Sequence, residues 1–261
     1  MKKIKFLATC FTIFLAFVGG YFLTNKVFTT AQAGEEKEPP THRIHSLDEM
    51  IKDPILANAM HTNDNYKFLY GKVRQKGDKG ESFAEVWINQ NGDGKYKVIW
   101  YRDVNDSENV YESTNRGDKV KTTLKKHGKV EITDSLKKMK LPTPEKRLQN
   151  AVYPNWNGTF TGTIVDSLIH PESDIQSLFL RSKVSNDGVV EILGRKVTKF
   201  IVDPQYKKDK VDTGHYEYYF DNETGILLKI ISYDGNEVKE ETCFEELEFK
   251  VINDNKFDFK L

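Results

Sequence analysis

The stretch that decides the fold is Tyr216-Glu217-Tyr218-Tyr219-Phe220-Asp221-Asn222-Glu223-Thr224-Gly225-Ile226-Leu227-Leu228-Lys229-Ile230-Ile231-Ser232-Tyr233-Asp234-Gly235-Asn236-Glu237-Val238. It reads strand, turn, strand, turn, strand. Asp221 to Gly225 and Asp234-Gly235-Asn236 are clusters that accept positive φ and chain reversal. The runs between them are β-branched and aromatic, as half-buried strands require. Tyr216, Tyr218 and Phe220 share one parity, and Ile226, Leu228 and Ile230 share another. Tyr219, Leu227, Ile231 and Tyr233 fall on the opposite parities. A sheet apolar on both faces is covered on both or wraps around something.

Working outward, Gly194 to Asp203 adds a strand before this meander. The strand after it changes parity between Val238, Thr242, Phe244 and Leu247, Phe249, Val251. A one-residue slip flips a strand's faces, so a bulge is expected near Glu245 or Glu246. The first half of the chain repeats the theme. Strands are expected over Tyr66–Arg74, Ser82–Asn89, Lys95–Arg102, Val110–Asn115, Lys119–Lys125 and Lys129–Thr133, with Asn91-Gly92-Asp93-Gly94, Arg116-Gly117-Asp118 and His127-Gly128 as turns. Helices are expected at 46–52 and 54–60, the second with Asp53 as cap and Pro54 at its first position. Further helices are expected over 136–140, from Thr143 to Val152, and from Pro171, where Ile175, Leu178 and Phe179 share a face. Tyr153 to Gly162 reads as an aromatic loop.

The N-terminus reads as an export signal. Lys2, Lys3 and Lys5 precede an apolar run from Phe6 to Leu23, and Ala31-Gln32-Ala33 has the form of a cleavage site. Cleavage and retention as a membrane anchor both remain open, because the run falls between a long signal and a short span. Residues 1–33 are therefore a signal peptide or anchor, 34–45 a charged, proline-containing linker, and 46–261 a single domain, extracytoplasmic in either case. Residues 1–33 hold four of the 39 basic residues and no acid, so the rest carries 35 against 39 acidic, a net charge of −4. That argues against a nucleic-acid partner. Cys10 and Cys243 fall on opposite sides of the export boundary, and no disulfide is expected.

No motif for catalysis emerges. The six histidines lack metal-ligand spacing, and no cofactor or metal is expected. Asn89 to Gly94 partly copies a calcium loop, but Trp100 occupies the position that needs a bidentate carboxylate. Glu237, Glu240, Glu241, Glu245, Glu246 and Glu248 would cleave glycosides only at a suitable separation; the reading taken is an edge-protecting face on a terminal strand. The protein is expected not to be an enzyme. The aromatic residues are more suggestive. Trp87, Tyr96, Trp100, Tyr216, Tyr218 and Phe220 are the candidate ligand-binding set, able to line a groove for an acyl chain or to fill an ordinary core.

Leu193-Gly194-Arg195-Lys196-Val197, the run Tyr218 to Lys229 with its Phe-Asp-x-x-Thr-Gly turn, and the closing Phe257-Asp258-Phe259 together resemble the LolA-like superfamily, over about residues 45–261. That group includes periplasmic lipoprotein carriers and the N-terminal domain of RseB-type envelope-stress regulators. The resemblance implies an α+β fold, in which a curved antiparallel sheet forms an unclosed β-barrel with helices covering its concave side. It implies a lipid, a lipoprotein acyl chain or an envelope protein as partner. No functional residue of the carriers matches here by position, and a retained anchor would stop the protein from ferrying cargo freely.

Overall fold

The computed structural model describes residues 52–78, 80–101, 108–135, 161–204 and 214–260. The expected signal or anchor, the helix at 46–52 apart from Lys52, the helices at 136–140 and 143–152, and residues 153–160 of the expected aromatic loop lie outside these residues. Among the described residues, no helix is long and apolar enough to cross a membrane.

The alternating patterns become one antiparallel sheet of eleven strands. The first meander comprises β1 (Phe68–Gly77), β2 (Gly80–Asn89), β3 (Lys95–Tyr101), β4 (Val110–Asn115), β5 (Lys119–Leu124) and β6 (Lys129–Asp134). The second comprises β7 (Ser182–Ile192), β8 (Arg195–Pro204), β9 (Tyr216–Asp221), β10 (Leu227–Asp234) and β11 (Glu237–Glu248). Their spatial order is β6-β5-β4-β3-β2-β1-β11-β10-β9-β8-β7. The two meanders thus join through their first and last strands, and the outer strands β6 and β7 do not pair. The sheet is an unclosed barrel with two arms.

This order corrects one expectation. β11 is the last strand in sequence but lies at the centre of the sheet, paired with β1 and β10. Its glutamates therefore protect no edge. The expected bulge is present: Lys72 pairs with Glu246 and Val73 with Phe244, so Glu245 is the extra residue. A second irregularity makes Leu228 extra between the Leu227–Phe220 and Lys229–Tyr219 pairs. Such bulges increase local twist and bend the strand that carries them.

Three short α-helices are described. α1 (Pro54–Ala59) starts as its sequence demands: Asp53 Oδ1 accepts from the backbone N–H of Ile55 (2.9 Å) and Leu56 (3.2 Å). α2 (Asp166–Ile169) was not expected. The Asp166 carboxylate gathers the N–H groups of Thr161 (2.9 Å), Gly162 (2.7 Å) and Thr163 (3.1 Å), which folds the preceding loop onto the helix start. α3 (Glu172–Ser177) follows Pro171 and leads into a 3-10 turn at Phe179–Arg181. Val165, Leu168, Ile169, Ile175 and Phe179 belong to one buried cluster with Leu69, Val86, Val98, Phe200, Phe220 and Phe244 from the sheet.

Candidate functional site

Cross-strand pairs share a face, so the register sorts the six aromatic candidates. Trp100 pairs with Ala84, Ala84 with Val73, and Val73 with Phe244. Thr242, on the Phe244 face, pairs with Ile230, and Ile230 with Tyr218. Tyr96, Trp100, Tyr216, Tyr218 and Phe220 therefore lie on one face, the core face. Trp87 lies on the other. It pairs with Tyr70, its ring centroid 5.6 Å from that ring, and Lys256 Nζ sits 3.6 Å from the Trp87 centroid. The five core-face residues form two groups. β3 and β9 are five strand spacings apart in the sheet, about 24 Å along its surface at ~4.8 Å each.

The group on β9 is packed. Tyr218 and Phe220 are 3% and 0% exposed. Phe179 meets both edge-on, at 4.9 Å and 6.0 Å between centroids, and Phe200 meets Phe220 at 5.7 Å. The Tyr218 hydroxyl donates to Asp174 Oδ2 (3.1 Å). Burial pushes the Tyr218 phenol well above its ordinary pKa, and the Asp174 carboxylate beside it adds to the rise. Burial likewise raises the Asp174 carboxyl, against the opposing effect of the Tyr218 hydrogen bond. Tyr216, at the end of this row, is half-buried.

The group on β3 grades outward. Tyr96 is 5% exposed, and its hydroxyl shares a hydrogen bond with Ser113 Oγ (3.1 Å), which in turn meets Thr122 Oγ1 (3.4 Å). Trp100 is half-buried and contacts Tyr111 edge-on at 6.4 Å. Beyond them Val120 is half-buried and Leu124 is 37% exposed on the same face, opposite Asn115 and Tyr111. Tyr111, Val120 and Leu124 were not among the candidates. Their parity relative to Trp100 was readable only once the β3–β4 and β4–β5 registers were known.

No protein-family model matches the chain, and no curated protein matches it. Solved structures are similar to it. MucB is similar over 82% of this chain and 64% of its own, at 15% identity and a TM-score of 0.48. The MucA/MucB complex of Pseudomonas aeruginosa gives 80% and 61%, at 13% and 0.45. The Mycobacterium tuberculosis lipoprotein LppX gives 77% and 98%, at 11% and 0.40. A putative outer membrane lipoprotein-sorting protein domain from Vibrio parahaemolyticus gives 82% and 97%, at 11% and 0.32. The chain spans less than two thirds of the length of MucB. At these identities no functional residue carries over.

The turn that carries the resemblance is a clamp. Arg195 grips both oxygens of the buried Asp221 carboxylate (2.8 and 3.0 Å), which also accepts from Thr224 N (3.0 Å). The Asn58 amide of α1 donates to the carbonyls of Asn222 (3.2 Å) and Glu223 (3.0 Å), and Asn65 donates to Thr224 O (3.0 Å). Gly225 has φ +75, and a Cβ there would lie 2.7 Å from the backbone of Ala59. Only glycine fits both the conformation and the approach.

The outer face is laced with ion pairs. Arg74 reaches Glu241 (3.3 Å) and Glu245 (3.0 Å), Lys72 reaches Glu246 (2.7 Å), and Lys229 reaches Glu241 (2.7 Å). Tyr219 lies between Lys199 (5.8 Å) and Lys229 (5.7 Å), and Tyr233 stacks on His215 at 4.2 Å. Trp87, Tyr219 and Tyr233 on this second face are thus covered by lysine stems and by histidine, while Phe83 and Tyr101 stack on each other at 5.7 Å. Of two open depressions among the described residues, neither is lined by the core-face aromatics. The larger, about 870 Å³, is lined by the β2–β3 and β4–β5 turns and residues 251–254. The smaller, about 450 Å³, lies between the β1–β2 and β10–β11 turns.

Proposed function

We propose that this is an exported, non-catalytic envelope protein that holds a hydrophobic ligand, a lipid or lipoprotein acyl chain, along the core face of β3–β5. One observation carries the reading. Apolar side chains on this face continue from the buried Tyr96 and Val98 through half-buried Trp100, Tyr111 and Val120 to Leu124. Burying a chain of 14 to 16 carbons contributes on the order of 10 kcal/mol at ~0.8 kcal/mol per methylene, so few polar contacts are needed. The N-terminal apolar run would deliver the domain across the membrane or hold it there. Native mass spectrometry of the full chain, extracted in detergent and exposed to phospholipid, tests the proposal. A bound lipid that is lost in Trp100→Ala supports it; no bound species in the parent protein sinks it.

A second reading is favoured by the other arm. There Phe179 closes over Tyr218 and Phe220, so the protein fills half of its aromatic face with its own side chains. A regulatory or assembly partner of an envelope protein would need no cargo space. Crosslinking in intact membranes discriminates, because a stoichiometric protein partner without lipid favours this class.

A further inference from the structure

The depression of about 870 Å³ joins two sequence motifs that the proposed function leaves unused, Asn91-Gly92-Asp93-Gly94 and Arg116-Gly117-Asp118. Phe68 and residues 251–254 complete its lining. Its polar groups are held in place. Asp254 accepts from Asn89 Nδ2 (3.1 Å) and Lys95 Nζ (3.0 Å). Arg116 donates twice to Asp118 (2.7 and 3.0 Å). Asn89 Oδ1 fixes the N–H of Asn91 (2.9 Å), and Asn115 Oδ1 that of Gly117 (2.8 Å). The side chains of Asn91 and Asp93 are exposed and make no hydrogen bond or ion pair among the described residues.

The chemistry of the lining selects a ligand class. Three carboxylates (Asp93, Asp118, Asp254) face two cations (Lys95, Arg116), and both cations are already paired with carboxylates. A phosphate or sulfate would find no excess of positive charge. Among the described residues, no group of side chains is arranged to hold a metal ion. An acyl chain needs a predominantly apolar lining, which a wall of turns does not supply. An extended peptide adds to a free strand edge, and β1, β2 and β3 are all paired on both sides. What remains is a neutral ligand dense in hydroxyl groups. Planar carboxylate, amide and guanidinium groups offer paired donors and acceptors to neighbouring hydroxyls. Phe68 and Val251, the latter 80% exposed, supply an apolar surface for the C–H face of a ring. A volume of about 870 Å³ is within the range of ligand sites and accommodates a short oligosaccharide.

We propose that this cleft binds a neutral saccharide, with Asn91 and Asp93 as the ligand-facing groups and the Lys95–Asp254 and Arg116–Asp118 pairs as its fixed walls. The site is independent of the hydrophobic-ligand reading: its lining is mostly turn residues and includes none of Trp100, Tyr111 and Leu124.

Isothermal titration calorimetry of the full chain tests it, in lauryldimethylamine oxide so that no sugar headgroup competes. Triacetylchitotriose and maltotriose are the probes; sodium phosphate, calcium chloride and an Ala/Ser hexapeptide are the comparators. At least one saccharide is expected to bind, and Asp93→Ala to weaken it at least tenfold, while Glu131→Ala on β6 leaves it unchanged. Asp93 is in an exposed turn, and an unaltered circular-dichroism melt verifies that the variant is folded. Heat from neither saccharide overturns the proposal. So does equal binding by Asp93→Ala, or stronger binding of phosphate, calcium or the hexapeptide.

Discussion

The two arms of the sheet use the same alternation of side chains and finish it differently. On β8 and β9, Phe200, Tyr218 and Phe220 are sealed by Phe179 and stand among the most buried residues of the chain. From β4 through β5 to β6, burial declines strand by strand, until every residue of β6 is exposed. What differs, among the described residues, is the third layer. The helical segment 161–181 supplies Val165, Leu168, Ile169, Ile175 and Phe179 to a cluster that includes β8 and β9, while β5 and β6 contribute no member to it. An aromatic strand face is therefore sealed core or half-open surface according to what the rest of the chain lays on it.

The comparison breaks most sharply at Phe220. Phe220→Ala is expected to cost about 3–5 kcal/mol, as for other buried aromatics, read as a lower denaturant midpoint in urea. Gly225→Ala should follow, at about 1–3 kcal/mol from the left-handed conformation alone, with the approach to Ala59 adding to it. A melt as stable as the parent would show that α1 does not depend on the clamp. On the other arm, Trp100→Ala removes a half-buried ring and should cost only about 1–2 kcal/mol in the same urea titration. A loss equal to that of Phe220→Ala would mean that this arm too is sealed.

A pH experiment sharpens the difference further. Burial holds the Asp174 carboxyl above its unfolded pKa of about 3.9, so its ionised form is disfavoured in the folded state. The sign follows: the parent is favoured below that value and loses stability as pH rises through the folded pKa. Asp174→Asn keeps an acceptor for Tyr218 and removes this loss. It should melt higher than the parent at pH 7, with the gap closing toward about pH 4. Smallest of all, Val130→Thr on β6 should stay within about 0.5 kcal/mol of the parent by thermal melt, since its side chain is 53% exposed.

Local features were legible in the sequence. Val110–Asn115 is a strand with the limits that its alternation sets, and the parity change after Phe244 located the Glu245 bulge. α2 escaped because four residues are too few to show a helical period and its N-terminal knot is formed by Asp166 reaching backward to Thr161. No strand was anticipated over Ser182-Lys183-Val184-Ser185-Asn186, the opening run of β7, because it is mostly polar. Non-local facts were not legible at all. Strand alternation does not say which strands become neighbours, so the central place of β11 and the pairing of its glutamates with Lys72, Arg74 and Lys229 required the structure. Trp87 was grouped with Trp100 by residue type, although their strands pair so that the two rings point to opposite faces.

The seam between β1 and β11 also sets an order of assembly. Gln75 and Thr242, 167 residues apart in the chain, hydrogen-bond across it (3.3 Å). Each meander can zip locally, but their union waits for a contact of very high sequence separation, the slowest kind to form. Until β11 arrives, one side of β1 is an open strand edge on a half-made molecule. Lys72, Arg74 and Lys76 stand along that edge, and charged side chains on an open edge discourage a second chain from adding to it. The glutamates of β11 then neutralise two of those guards as they dock, Lys72 through Glu246 and Arg74 through Glu241 and Glu245. The same charges thus act first as a deterrent to aggregation and afterwards as the latch of the finished sheet.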